Sequence, residues 1–215
     1  MIGASVSRNA LILGSFAIAT AATLALINNA TIDRIACNRQ AALEASLLEV
    51  MPAERFDNNL LADAILVEDA QLGRKMQHVY RARLAGQPAG VVIEATAADG
   101  YGGAINLLVG LTVEGQITGV RMVPPHNETP GLGDKIDIKK SDWILSFNGT
   151  SLGEPPAEKW AVKKDGGVFD SFTGATITPR AVVGQVKRAL DWYAAHRDTV
   201  FTQPADVDDT EHCDD

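Results

Sequence analysis

Residues 9–32 contain no charged side chain and are rich in Leu, Ile and Ala. A helix that crosses a bilayer needs ~20 predominantly apolar residues, and this run is long enough. A cleaved secretory signal is the alternative, because its apolar region of ~7–15 residues ends at small residues and the Ala- and Thr-rich tract at 19–23 suits a signal peptidase. The length favours a retained membrane anchor, which we place at residues 1–35.

The remainder of the chain is long enough for one globular domain. Of the 215 residues, ~180 remain after the anchor, which suffices for a substantial core. The formal net charge of −8 argues against a nucleic-acid partner. Residues 204–215 are acidic and poor in apolar side chains, so we expect a disordered tail there. This assigns residues 36–203 to the domain.

The two cysteines, Cys37 and Cys213, lie near opposite ends of that part of the chain. The sequence contains no CxxC motif and no Cys/His cluster, so we expect no iron–sulfur, haem or zinc site. A disulfide between the two and a pair of separate thiols both remain open.

The hydrophobic pattern predicts an α+β fold in which helices flank an antiparallel sheet. Turn signals at residues 86–88 and 114–115 separate neighbouring strands. A helix is predicted at residues 39–50 and another at 180–197, and residues 98–103 form a glycine-rich loop. The predicted strands cover residues 64–67, 77–85, 89–95, 105–113 and 116–123, with a further short candidate at 160–164.

Residues 170–179 place four hydroxyl side chains around a flexible Gly-Ala step, just before the last helix. Thr178 is a good N-cap, and Pro179 suits the first helical position. Thr176 therefore lies ahead of a helix N-terminus, where free N–H groups and the helix dipole favour an anion. From these residues alone, a phosphate site and a capped turn without a ligand are both open.

The loop at residues 124–133 holds three prolines and two glycines, which exclude regular structure. It is either a surface excursion or a rigid binding loop. Gly131 and Gly133 would let the backbone approach a ligand closely, and Leu132 offers an apolar contact.

Three features follow one another along the chain. They are an N-terminal span, the loop His-Asn-Glu-Thr-Pro-Gly-Leu-Gly and the stretch Asp-Ser-Phe-Thr-Gly-Ala-Thr. Together they resemble the RnfG/RsxG family, the covalent FMN-binding components of the Rnf/Rsx ion-translocating electron transport complexes. The related NqrC component of the sodium-pumping NADH:quinone reductase shares both motifs, but the lack of a large insertion suits the RnfG type better. The second motif matches the flavin-transferase pattern Asp-x-x-Ser/Thr-Gly-Ala-Thr, whose last threonine, here Thr176, carries FMN through a phosphoester.

The resemblance implies an electron-carrying subunit that is not catalytic alone, with no catalytic residue or metal ligand of its own, because the flavin does the redox work. It implies as partners the other subunits of the complex, a flavin transferase and the membrane. The domain is expected on the periplasmic side of a bacterial inner membrane, held by a single span. The alternatives are a redox sensor with FMN, a component of the quinone-reductase type, and a secreted binding protein without flavin. The implied cofactor-binding residues are Thr176, Thr173, Gly174, Ala175, Glu128, Thr129, Gly131, Leu132 and Tyr101.

Overall fold

The computed structural model describes residues 2–73 and 76–206. Of the described residues, those up to 42 belong to one compact unit and those from 43 to 206 belong to a second. The first helix, α1, covers Ile2–Val50. The helix predicted at residues 39–50 is confirmed, and it forms the C-terminal part of α1, because residues 33–38 contain neither Gly nor Pro and the helix continues through them.

The N-terminal part of α1 has the length and composition of a membrane span. Its most apolar window has a mean hydropathy of 2.2, and none of that window is buried inside the protein. Large side chains such as Leu11 and Phe16 are 75% and 69% exposed. Apolar side chains in such number face lipid more readily than water.

The second unit is built on a five-stranded antiparallel sheet in the order β1-β2-β3-β4-β5. The predicted α+β class is therefore confirmed. The predicted glycine-rich loop at 98–103 is mostly strand, because Gly100 pairs with Gly103 across a turn of only Tyr101 and Gly102. The strands are β1 Ala64–Val67, β2 Gln77–Leu84, β3 Gln87–Gly100, β4 Gly103–Thr112 and β5 Ile117–Val123.

One face of the sheet packs against the second helix, α2, which covers Ile177–Val200. Val183, Val186, Leu190 and Tyr193 of α2 are buried, as their helical spacing predicts. They share a core with alternate residues of the strands and with an aromatic group that includes Phe147 and Trp160. The strand predicted at 160–164 is wrong. The segments outside the sheet form short 3-10 helices at Ala53–Arg55, Gly133–Ile136, Asp142–Phe147, Ala157–Lys159 and Lys163–Asp165.

The other face of the sheet packs against the C-terminal end of α1, where Leu47 and Val50 are buried, and against Met51, which follows the helix. Gly110 on β4 makes this contact possible, because a Cβ there would collide with the carbonyl oxygen of Val50. The Thr118 hydroxyl of β5 donates a hydrogen bond to the same carbonyl, at 2.5 Å.

The C-terminal end of α2 is held by two arginines of β2. Arg81 donates to the carbonyls of Val200 and Gln203, and both Arg81 and Arg83 pair with Asp63. Beyond the helix, the Asp206 N–H donates to the carbonyl of Ala64 at 2.9 Å, so the first part of the predicted tail contacts β1. The rest of that tail, residues 207–215, lies outside the described residues, as does Cys213.

Candidate functional site

The first wall of the site is a tight turn within the proline-rich loop. The Leu132 N–H donates to the carbonyl oxygen of Thr129 at 3.1 Å. Pro130 occupies the second position, and Gly131 occupies the third with φ of 77°. These residue types and that positive φ are the signature of a type II turn. The turn fixes the Leu132 side chain, which is 39% exposed.

A second turn of the same kind faces the first. The Ala175 N–H donates to the carbonyl oxygen of Phe172 at 3.1 Å, and Gly174 at the third position has φ of 82°. A Cβ on Gly174 would lie 3.7 Å from a methyl group of Leu132. Two segments that are distant in sequence thus meet where Leu132 approaches Gly174.

The second turn leads into α2 two residues earlier than the capping pattern predicts. The helix begins at Ile177, so Thr176 precedes it and the prediction of Thr178 as N-cap is wrong. Thr178 lies within the first turn, fully buried, and its hydroxyl donates to the Glu128 carboxylate instead. Pro179 lies where the helix needs no N–H donor. No side-chain hydrogen bond from Thr176 caps the helix among the described residues.

Glu128 connects the three segments that surround this point. Its side chain is 5% exposed. One carboxylate oxygen accepts from the Thr178 hydroxyl, and the other accepts from the Gly102 N–H at 2.9 Å. Gly102 has to be glycine, because a Cβ there would collide with the carbonyl oxygen of Asn127. The β3–β4 turn, the proline-rich loop and the start of α2 are therefore joined through one side chain.

A cleft of about 220 Å³ opens between these elements. It brings together seven of the nine residues that the sequence indicated. Thr173 and Gly131 are outside the lining, because each occupies a turn position that faces solvent. The cleft also includes residues that sequence reasoning missed, notably Ile177 and Thr178, whose position follows only from the earlier start of α2. The lining consists of Tyr101, Glu128, Thr129, Leu132, Gly133, Gly174, Ala175, Thr176, Ile177 and Thr178.

Charged side chains near the second turn are paired with each other rather than directed into the cleft. Arg180 binds the Asp165 carboxylate through two nitrogens, at 2.5 and 2.6 Å. This hydrogen bonding holds the pKa of Asp165 below its ordinary value and raises the pKa of Arg180. Lys163 pairs with Asp170 at 2.7 Å. None of the four residues lines the cleft.

Two aromatic contacts fix the segment that precedes Thr176. The Trp143 indole N–H donates to the carbonyl oxygen of Asp170 at 2.8 Å. The ring of Trp143 packs edge-on against Phe172, with 5.2 Å between centroids. Trp143 and Phe147 thus belong to the core that supports the turn, and neither lines the cleft.

Two known protein families match different parts of the chain. Residues 100–191 match the model of the FMN-binding domain, a range that contains every residue of the cleft. Residues 1–50 match the model of the RnfG N-terminal region, which coincides with α1.

Several relatives match nearly the whole chain. Their names identify them as the G subunit of an ion-translocating oxidoreductase complex. The protein from Pseudoalteromonas atlantica is 49% identical over 199 residues, which are 92% of each chain. That from Shewanella loihica is 45% identical over 95% of this chain and 97% of its own. The protein from Pseudomonas aeruginosa is 47% identical over 92% of both.

Proposed function

This chain belongs to the RnfG family of ion-translocating oxidoreductase complexes, and from this premise we propose that its FMN is esterified to Thr176. The family resemblance inferred from the sequence is thereby confirmed, and the chain is an electron-transfer subunit that carries FMN. The covalent linkage, the site residues, the orientation and the modifying enzyme are the proposal.

The observation that carries the proposal is the position of Thr176 at the cleft and directly before α2. The first turn of α2 contains no acidic side chain, so its free N–H groups and dipole are available to a phosphate. The cleft also offers exposed apolar surface from Leu132, Tyr101 and Ile177. A polar end for phosphate and an apolar wall for a flat ring suit the two ends of FMN.

The linkage requires only a hydroxyl and an activated donor. A bond forms between Thr176 Oγ1 and the flavin phosphorus, and the phosphoanhydride bond of a flavin dinucleotide donor breaks. The nucleoside monophosphate leaves with the electrons of the broken bond, and a base of the transferase takes the hydroxyl proton. A flavin transferase would supply the catalysis, because both oxygens of the Glu128 carboxylate in the cleft already accept hydrogen bonds, from the Gly102 N–H and the Thr178 hydroxyl. Once bound, FMN supplies one- and two-electron chemistry, while the protein holds and surrounds it.

The experiment is intact mass spectrometry of the full chain, produced with its modifying enzyme and then denatured. We expect the mass of the chain plus one esterified FMN, with the modified peptide containing Thr176. Thr176→Val should abolish the increment, whereas Thr176→Ser should retain it because the nucleophilic hydroxyl remains. Ser171→Ala is the matched control, since it removes a neighbouring hydroxyl and should leave the increment unchanged. An increment that survives Thr176→Val would refute the assignment.

We propose further that residues 1–35 form a single span in a bacterial inner membrane and that residues 36–203 form the domain on its periplasmic side. A covalently attached flavin would stay on the protein there, because it could not dissociate. The other subunits of the complex would be its neighbours. Protease added to intact spheroplasts should digest the domain without lysis, and protection until lysis would refute this orientation.

A further inference from the structure

Glu128 is a buried acid whose partners are all neutral. Its two carboxylate oxygens accept from the Gly102 N–H and the Thr178 hydroxyl. Its own N–H donates to Nδ1 of His126 at 3.2 Å, which makes that nitrogen an acceptor. Among residues 2–73 and 76–206, no Lys or Arg forms an ion pair with it.

Burial of this acid without a cation lowers the stability of the folded protein. Burying a carboxylate without a cation costs several kcal/mol unless hydrogen bonds replace its hydration. The two donors satisfy the oxygens, but neutral dipoles leave the net charge in place. The side chain also lines the cleft that contains Thr176. Both oxygens accept hydrogen bonds, which is the arrangement of a carboxylate, and the group lies at a fixed place in the wall.

We infer that Glu128 sets the reduction potential of the flavin in this cleft, keeping it low by repelling the negative charge that reduction adds. The inference rests on the proposed attachment of FMN at Thr176. Glu128 is a positioning and electrostatic residue here, because its oxygens are occupied by the protein's own donors. The same carboxylate also joins the β3–β4 turn to α2, and these two contacts fix the position of its charge in the wall of the cleft.

The test is a redox titration of the full flavinylated chain in detergent, comparing the wild type with Glu128→Gln. The amide keeps the size and can still accept from Gly102, while the Thr178 hydroxyl can turn to accept from it. Loss of the charge should make the first one-electron reduction about tenfold more favourable, a positive shift of about 59 mV. Glu114→Gln is the control, because Glu114 is an exposed acid beyond the opposite end of β4 and should leave the potential unchanged.

A second variant separates charge from shape. Thr178→Val removes one donor and leaves the carboxylate, so its potential should not rise. A rise equal to that of Glu128→Gln would overturn the inference in favour of altered packing. A flavinylated Glu128→Gln with wild-type potential would also overturn it, and so would a Glu128→Gln chain that carries no flavin, since the residue would then serve attachment. Absence of flavin on Thr176 in the wild type would instead refute the proposed function.

Discussion

At the scale of single residues, the cleft depends on two glycines with positive φ. Gly131 and Gly174 each occupy the third position of a type II turn, at 77° and 82°. Most L-residues pay roughly 1–2 kcal/mol to adopt such a conformation. The sequence signals differ in strength, because Pro130 before Gly131 marks a type II turn whereas Thr173 before Gly174 does not.

Gly174→Ala should lower the free energy of unfolding by about 1 kcal/mol, because alanine is strained at φ of 82°. It should also reduce FMN incorporation, since the turn places the segment that carries Thr176. Thermal unfolding in detergent and the mass increment report the two effects. Gly153→Ala is the matched control, because Gly153 has open space around it and no positive φ. Equal stability of the two variants would contradict the role assigned to the turn.

At the scale of elements, cross-strand contacts decide what each face of the sheet does. The face toward α1 divides into an apolar part covered by Leu47 and Val50 and a polar part that begins at Glu94 on β3. Glu94 accepts from the Tyr80 hydroxyl and contacts Nδ1 of His78, both at 2.8 Å. Burial acts to raise the pKa of Glu94, but the interactions with His78 and Tyr80 outweigh it and the pKa lies below its ordinary value.

A carboxyl whose pKa is lowered by folding contributes stability above its unfolded pKa, and this contribution is lost as pH falls through the folded value. Glu94→Gln should therefore cost about 1 kcal/mol at pH 7. It should also weaken the decline in stability of the wild type as pH falls below the ordinary Glu pKa. Urea titrations at several pH values measure both effects. Glu158→Gln, at an exposed position outside this cluster, should follow the wild type. A parallel pH profile for Glu94→Gln would contradict the assigned linkage.

Local patterns predicted the strands and most of the cleft, but long-range contacts set the remaining boundaries. Alternating apolar residues located all five strands of the sheet, and turn residues identified both walls of the cleft. The start of α2 was predicted wrongly because Thr178 has the chemistry of an N-cap. Its hydroxyl is engaged by Glu128, 50 residues away in sequence, and local capping rules contain no such partner. Gly110 likewise gave no local signal of the close approach of Val50.

At the scale of the whole molecule, the chain joins a helix with the length and composition of a membrane span to a domain that carries FMN. A different feature characterises each unit. The first contains the apolar run at residues 9–32, and the second contains the sheet and α2. A covalent bond would attach the cofactor to the protein, and the span would attach the protein to the membrane. The two attachments would serve one purpose. Both would keep an electron carrier at a fixed place within a complex, where electron transfer would otherwise depend on diffusion.

The anchor can be tested without removing any residue. Replacing Ala19 and Ala22 by Arg places two charges near the middle of the span, each costing about 2.5–3.5 kcal/mol of insertion free energy. We expect the double variant to be lost from the membrane fraction after carbonate extraction, while the same positions changed to Leu remain there. If the segment is instead a cleaved signal, the mature wild-type chain should begin near Ala30 and be extractable by carbonate. N-terminal sequencing of the purified protein distinguishes these outcomes, and a mature start near Ala30 would refute the anchor.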